Sequence, residues 1–371
     1  MKAIVCFWVG LVMALGCCGQ TSRDYCQSGD TKIGNKDYKG AIEDYTKALN
    51  LNAKYSEAFF GRGFAKAQTN NYIGAINDYT KAIEVNPNYT DAYYNRGNAE
   101  RLIQKYNSAE DDYSKAIELD PKFFDAYCNR GIIKHIKKDY ESAISDFTVA
   151  LEINPNHETA IFNRGLDREI LKENDGAIAD FTKVIEIDPT NSFAYEYRAD
   201  TKNVMRDWME AIKDYNIAIE LNPESSNAYC GRGLAKGNLL DYKGELIDDS
   251  FAIKIDQSNF LAFNNRGLDK DSLHDYKGAI IDCDKTIELN PKYAYAYNNR
   301  GYAKLKLKDY SGALEDENKS IEQDSTNEYA YHNRALTYQI LNQKEKACLD
   351  FKKATELGNA EAKEEMKKYC K

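Results

Sequence analysis

Nine arginines, Arg62, Arg96, Arg130, Arg164, Arg198, Arg232, Arg266, Arg300 and Arg334, stand 34 residues apart without one insertion, each followed by glycine or alanine. A fixed period of this length means that one short helical or strand unit is copied and stacked, because a single copy cannot bury its own apolar face. A chain of 371 residues would otherwise suggest two or three separate cores. Extended backwards, the frame puts Gly29 in register with Gly63, so that ten repeats span 22–55, 56–89, 90–123, 124–157, 158–191, 192–225, 226–259, 260–293, 294–327 and 328–361. An aspartate holds one place in all ten: Asp44, Asp78, Asp112, Asp146, Asp180, Asp214, Asp248, Asp282, Asp316 and Asp350. Chance does not produce that register.

Within the repeat 90–123, small or apolar residues at Ala92, Tyr93 and Gly97 predict one amphipathic helix, and Ala109, Tyr113, Ala116 and Ile117 predict a second. A short polar turn between them ends in Tyr106, a place held elsewhere by Tyr38, Tyr72, Tyr140, Tyr242, Tyr276, Tyr310 and once by Trp208, whose ring is expected to plug the hairpin. All six prolines, Pro87, Pro121, Pro155, Pro189, Pro223 and Pro291, fall just after the second helix, where a residue without an N–H stops it. Gly63, Gly97 and Gly131 on the first helix and Ala41, Ala75 and Ala143 on the second mark close helix contacts. The recurring arginine is expected to meet the recurring aspartate as a bidentate pair. Pairing each arginine with the aspartate of the preceding repeat, from Asp44 with Arg62 to Asp316 with Arg334, accounts for Ser28 in the first repeat, which has no predecessor.

An aromatic, a glycine, then tyrosine, alanine, aromatic, alanine and proline at fixed offsets in 34 residues resemble the tetratricopeptide repeat, here in an Asn-Arg-Gly subtype. The resemblance implies an all-α fold, a right-handed superhelical solenoid of about ten helix-turn-helix repeats closed by a C-terminal capping helix at 359–371. In that family the first helix of each repeat lines a concave groove that takes an extended or helical ligand. On that face lie six asparagines, Asn95, Asn129, Asn163, Asn265, Asn299 and Asn333. An amide both donates and accepts, so such a ladder can read extended peptide backbone without demanding a sequence; plain groove solvation is the alternative. Phe60, Tyr94 and Phe162, with Phe64, Ile132 and Leu166 flanking them, are the candidate apolar anchors. Chaperone-binding members clamp a carboxylate with lysines, and the matching places here hold Cys26, Phe60, Tyr94 and Asn98, which argues against a cytosolic chaperone adaptor.

The apolar share of 43% is too high for a disordered chain, and 29% charged residues is too many for a multi-span membrane protein. A net charge of −9 disfavours nucleic acid as partner and favours basic ones. Lys2 followed by an uncharged run from Ala3 to Gly16 reads as a secretory signal, residues 1–17, ahead of a short linker at 18–21. Its end, Met13-Ala14-Leu15-Gly16-Cys17, resembles a bacterial lipobox, so lipidation at Cys17 and a membrane tether stand beside plain cleavage near Gly19. Gly358 is expected to cap the last repeat. A hairpin turning there brings Cys348 level with Cys370, as a disulfide or as two thiols. His135, His157, His274 and His332 scatter over different repeats and read as surface or packing residues, so no metal or cofactor is expected. In the seventh repeat Glu245 replaces the small alanine, Asp249 the aromatic and Gln257 the proline, which predicts a soft segment at 240–260. No phosphate loop, nucleophile elbow or zinc helix is present, which argues against an enzyme. The reading is an exported scaffold that binds a peptide or protein in its groove, with a structural role in envelope assembly as the second reading.

Overall fold

The computed structural model describes residues 20–371, and over them the chain is a succession of 21 helices with no strand. The signal, the Cys17 lipobox and the first half of the linker lie outside the described residues. Two helices fall in each 34-residue frame, as in Thr90–Leu102 and Tyr106–Leu119, and Ala360–Tyr369 follows the tenth pair. Second helices end one residue before the proline place, at a cap such as Asn86 before Pro87; the proline ring disfavours the α conformation there, and the same extended cap at Asn52, Asp256 and Asp324 ends helices that have no proline. None of the described helices is long and apolar enough to cross a membrane.

The turn inside every repeat is closed by a residue in the left-handed region, with φ between 58 and 68°, and none of the ten is glycine. Lys36, Asn70 and Gln104 are examples, and Leu240 holds φ 67° with a side chain exposed to solvent. A non-glycine residue there costs about 1–2 kcal/mol, so Leu240→Gly is expected to raise the seventh repeat's resistance to local unfolding by about 1 kcal/mol, read by hydrogen exchange.

The helices gather into two compact units, one running to Lys172 and the other from Glu173 to Lys371. In the N-terminal unit the core is a stack of small residues and buried rings: Ala41, Tyr45 and Ala48, then Ala75, Tyr79 and Ala82, then Ala109, Tyr113 and Ala116. Glycine on the first helix is what lets each ring in. A Cβ on Gly97 would sit 2.9 Å from Tyr113 Cε1 and 3.3 Å from the Ala109 carbonyl. The ring expected to plug the hairpin, Tyr106, opens the second helix and is only half-buried. The plug is the residue seven places later, Tyr113 in this repeat. In the C-terminal unit that place holds Tyr215, Asp249, Cys283, Glu317 and Phe351, all essentially without solvent access.

The arginines and aspartates do pair, but the register expected from the sequence is wrong. Eight of the arginines bind the aspartate of their own repeat, 16 residues ahead: Arg62 with Asp78, Arg96 with Asp112, Arg130 with Asp146, Arg198 with Asp214, Arg232 with Asp248, Arg266 with Asp282, Arg300 with Asp316 and Arg334 with Asp350. Nε and one terminal nitrogen donate to the two carboxylate oxygens, as at Arg96 with both bonds at 2.7 Å. In the first repeat the Ser28 hydroxyl donates to Asp44 at 2.7 Å instead. The link to the preceding repeat is made by the other terminal nitrogen, 16 residues back: Arg62 to Thr46, Arg96 to Thr80, Arg130 to Ser114 and Arg164 to Thr148, then Arg198 to Thr182 and Arg232 to Asn216. An aromatic three residues before the arginine packs on its guanidinium, as Tyr93 does on Arg96 at 5.6 Å. A lysine four residues after the arginine adds a second cation to most of these aspartates, such as Lys134 on Asp146 at 2.8 Å and Lys304 on Asp316 at 2.8 Å. The third repeat has Glu100 at that place, which burial beside Asp112 pushes up to about 7.

At the C-terminus, Gly358 has φ 109°, the left-handed conformation that ends the helix Lys344–Glu356. The Asn359 side chain accepts from the Ala362 N–H and starts the helix Ala360–Tyr369, whose Ala362 and Met366 cover Ala347, Phe351 and Ala354. Cys348 and Cys370 are bonded across this hairpin, with their Cα atoms 5.6 Å apart.

Candidate functional site

The face of interest is built by the first helices, at the places five, six and nine residues into each repeat. In the N-terminal unit the six-place asparagines spend their amides inside the protein. Asn95 donates to the Asp91 carbonyl at 2.8 Å and Asn163 to the Thr159 carbonyl at 2.8 Å, each one helical turn back. Asn129 donates to the Tyr94 hydroxyl and to Asn98, both at 3.0 Å, and the buried Tyr113 hydroxyl donates to the same Asn98 oxygen at 2.8 Å. Phe60 stacks between Tyr79 and Tyr89, with centroids at 5.7 and 4.9 Å, and Tyr94 packs likewise on Tyr113 and Phe123. Phe60, Tyr94 and Phe162 are all half-buried. Phe60 and Tyr94, expected as anchors, therefore show one edge to solvent and give the other to rings of their own repeat.

In the C-terminal unit the same face opens into a pocket of about 610 Å³. Tyr293, Tyr295, Tyr302 and Tyr329 supply its rings, Asn264, Asn298, Asn299 and Asn333 its amides, and Leu268 and Leu336 its aliphatic wall. Asp271 and Glu361 carry its charge, His332 completes it, and no lysine or arginine lines it. The amides are chained. Asn299 donates to Asn264 at 3.1 Å, Asn333 donates to Asn298 at 2.9 Å, and Asn298 donates to Asn299 at 3.1 Å, which fixes the orientation of each. Asn265 makes a longer contact, donating to Cys230 Sγ at 3.7 Å. Tyr295 and Tyr329 stand in front of these amides, about half exposed, as rings that a ligand can stack on.

His332 packs its ring on Phe351, with centroids 6.0 Å apart, and also faces the pocket. It is 8% exposed, and its Nε2 has no hydrogen-bond partner. Burial lowers its pKa, against the pull of Glu361 and Glu365, so at neutral pH it presents a neutral ring. His135 is also engaged, with Nδ1 2.5 Å from Asp167, a carboxylate whose pKa burial raises. His157 fits the packing expectation, accepting from the Ala160 N–H at 3.2 Å as a helix cap.

Of the residues named from the sequence, Asn299 and Asn333 come together in this pocket, while Asn95, Asn129, Asn163, Phe60, Tyr94 and Phe162 lie in the other compact unit. Tyr295, Tyr329 and His332 were missed. The signal was present: Tyr295 and Tyr329 hold the second place of consecutive repeats, and Asn-Asn stands twice in register at 264–265 and 298–299.

Sequence models of the tetratricopeptide repeat match residues 25–55, 66–100, 90–123, 113–145, 283–315 and 328–357. No curated protein matches the sequence. Among solved structures, one chain of the APC/C hetero-tetramer Cut9-Hcn1 is 14% identical, with 95% of this chain and 97% of that one aligned at a TM-score of 0.55. The C-terminal part of a TPR repeat-containing protein from Cytophaga hutchinsonii is 17% identical over 64% of this chain and 98% of its own, also at 0.55. YrrB, described as a TPR protein with an unusual peptide-binding site, is 24% identical over 50% of this chain and 96% of its own, at 0.47. With the repeat matched in each compact unit and the helical hairpins recurring at its period through both, the chain is a tetratricopeptide-repeat protein.

Proposed function

We propose that this interaction scaffold is exported and binds an extended peptide segment in the groove of its C-terminal unit, with Tyr295 and Tyr329 gripping side chains and the asparagine chain meeting backbone. The observation that carries the reading is the pocket itself: two half-exposed rings stand over amides that their neighbours hold in fixed orientation. Preorganised amides lose little freedom when a strand of peptide docks, and exposed tyrosines are the residues interfaces use as hot spots. Asp271 and Glu361, with no cation in the lining, favour a segment carrying lysine or arginine beside an apolar side chain.

The test is a display selection of 12-residue peptides on the mature chain. Selected peptides are expected to be enriched in basic and aromatic residues, and to bind the Tyr295→Ala, Tyr329→Ala double variant at least 30-fold more weakly by isothermal titration. Peptides of acidic character, or unchanged affinity for the variant, would contradict the reading.

Export rests on the charged, then apolar, first seventeen residues and fits the Cys348–Cys370 bond, since disulfides persist in oxidising compartments. Intact mass after expression in a bacterium that processes exported precursors tests it. A product starting at Cys17 with acyl mass means a tethered scaffold, and one starting near Gly19 a free one. A full-length chain in the cytosol sinks export.

A further inference from the structure

Three departures from the repeat meet at one point in the C-terminal unit. Glu245 and Asp249 lie one turn apart on the helix Tyr242–Ile255, where sibling repeats carry alanine and an aromatic, as at Ala211 and Tyr215. Asp269 reaches them from the helix Phe260–Ser272, at a place that holds Ala235 and Ala303 in neighbouring repeats. The three residues are 7, 0 and 2% exposed, and one carboxylate oxygen from each lies within 4.8 Å of the others. The room for Glu245 comes from a fourth departure. A Cβ on Gly237 would sit 1.7 Å from its Oε2, so this carboxylate occupies space that only glycine leaves open.

Among the described residues no lysine or arginine makes an ion pair with the cluster, and Arg266 acts on Asp249 only from its own pair with Asp282. Arg232 and Lys236 are bound to Asp248, and Arg266 and Lys270 to Asp282. Asp249 is fully buried with only the weak donor of the Cys230 thiol beside it, no N–H or O–H donates to either of its oxygens, and Asp269 Oδ2 has no partner. Most of the buried aspartates described are partnered by cations, as Asp248 is by an arginine and a lysine. A fully buried carboxylate without an N–H or O–H donor, aimed at two others, points to a ligand that supplies positive charge without protein donors.

We propose that Glu245, Asp249 and Asp269 bind one hard divalent cation that ties the seventh repeat to the eighth. Three carboxylate oxygens are the donor set that calcium, magnesium and manganese prefer, and oxygens sharing one such ion are no farther apart than twice the metal–oxygen distance of about 2.1–2.6 Å. Bound there, the ion offsets two of the three negative charges and bridges two helices that otherwise repel, which removes the softness expected at 240–260.

The test uses the whole chain, stripped with EDTA and titrated separately with calcium, magnesium and manganese by isothermal titration and by melting temperature. One ion per chain is expected to bind, raising the melting temperature and protecting residues 242–272 from hydrogen exchange. The triple variant Glu245→Ala, Asp249→Tyr, Asp269→Ala restores residues that sibling repeats carry, so it should fold without metal. Its affinity is expected to fall at least 100-fold and its melting temperature to ignore EDTA. Absence of saturable binding by any of the three ions to the wild type, or equal binding by the folded variant, overturns the proposal.

Discussion

Replacing Arg96 by methionine is expected to destabilise the third repeat by about 3–5 kcal/mol, the cost of stranding a buried carboxylate. Asp112 is 5% exposed, and Arg96 is its only arginine or lysine partner among the described contacts, through two bonds of 2.7 Å. Burial already raises the pKa of Asp112 in spite of that arginine, and Glu100 stands where other repeats place a lysine. The same change at Arg130 leaves Lys134 on Asp146 at 2.8 Å, and should lose only about 1–2 kcal/mol. Arg96→Met with Asp112→Leu should regain most of the loss, because removing both partners leaves no charge to desolvate. Hydrogen exchange over residues 90–123 is the suitable reading, since solenoids open repeat by repeat and a single global value blurs the effect. Equal losses at Arg96 and Arg130 would show that the pairs add nothing beyond packing.

The second large effect is a fall in stability as pH rises, carried in part by Glu317. Its side chain fills the place of the buried ring in the ninth repeat, fully buried, with Thr337 donating to Oε1 at 3.1 Å and nothing donating to Oε2. Burial pushes its pKa up to about 8, with Asp316 and Asp350 adding to the rise and Thr337 and Arg334 opposing it. Between the ordinary 4.5 and about 8 the folded chain holds a proton that the unfolded chain has released. Stability therefore falls with rising pH across that window and levels off above it. At about 1.4 kcal/mol per pH unit the full window amounts to on the order of 5 kcal/mol. Glu317→Gln should be the more stable protein at pH 8 and nearly level with wild type at pH 4.5, compared by hydrogen exchange of residues 294–340. A difference between the two proteins that does not change from pH 4.5 to 8 would contradict the burial argument.

The repeat, its two helices, the proline stops and the cap at Gly358 were legible because each depends on residues close in sequence. The arginine–aspartate pairing was legible as chemistry and misread in register. Ser28 fits either assignment, since it lacks both a predecessor and an arginine, and only the coordinates show that the fork turns inward while its third arm reaches back to Thr46, Thr80 or Ser114. The asparagines were legible as one recurring place on the first helices, but their bonds to residues 35 positions away, such as Asn299 to Asn264, depend on how repeats stack. The acid cluster was half visible. Glu245 and Asp249 stood out as violations of the repeat, while Asp269 looked like one more helix carboxylate until the eighth repeat packed it against them.

The first-helix face of the C-terminal unit is the proposed seat of the partner. Hydrogen exchange of the mature chain, with and without a saturating selected peptide, tests it most directly. Protection is expected along Ala294–Lys306 and Glu328–Ile340, the helices carrying Tyr295, Tyr302, Tyr329 and His332. Protection confined to the second helices Tyr276–Leu289 and Tyr310–Gln323, with none on the first, would contradict the account.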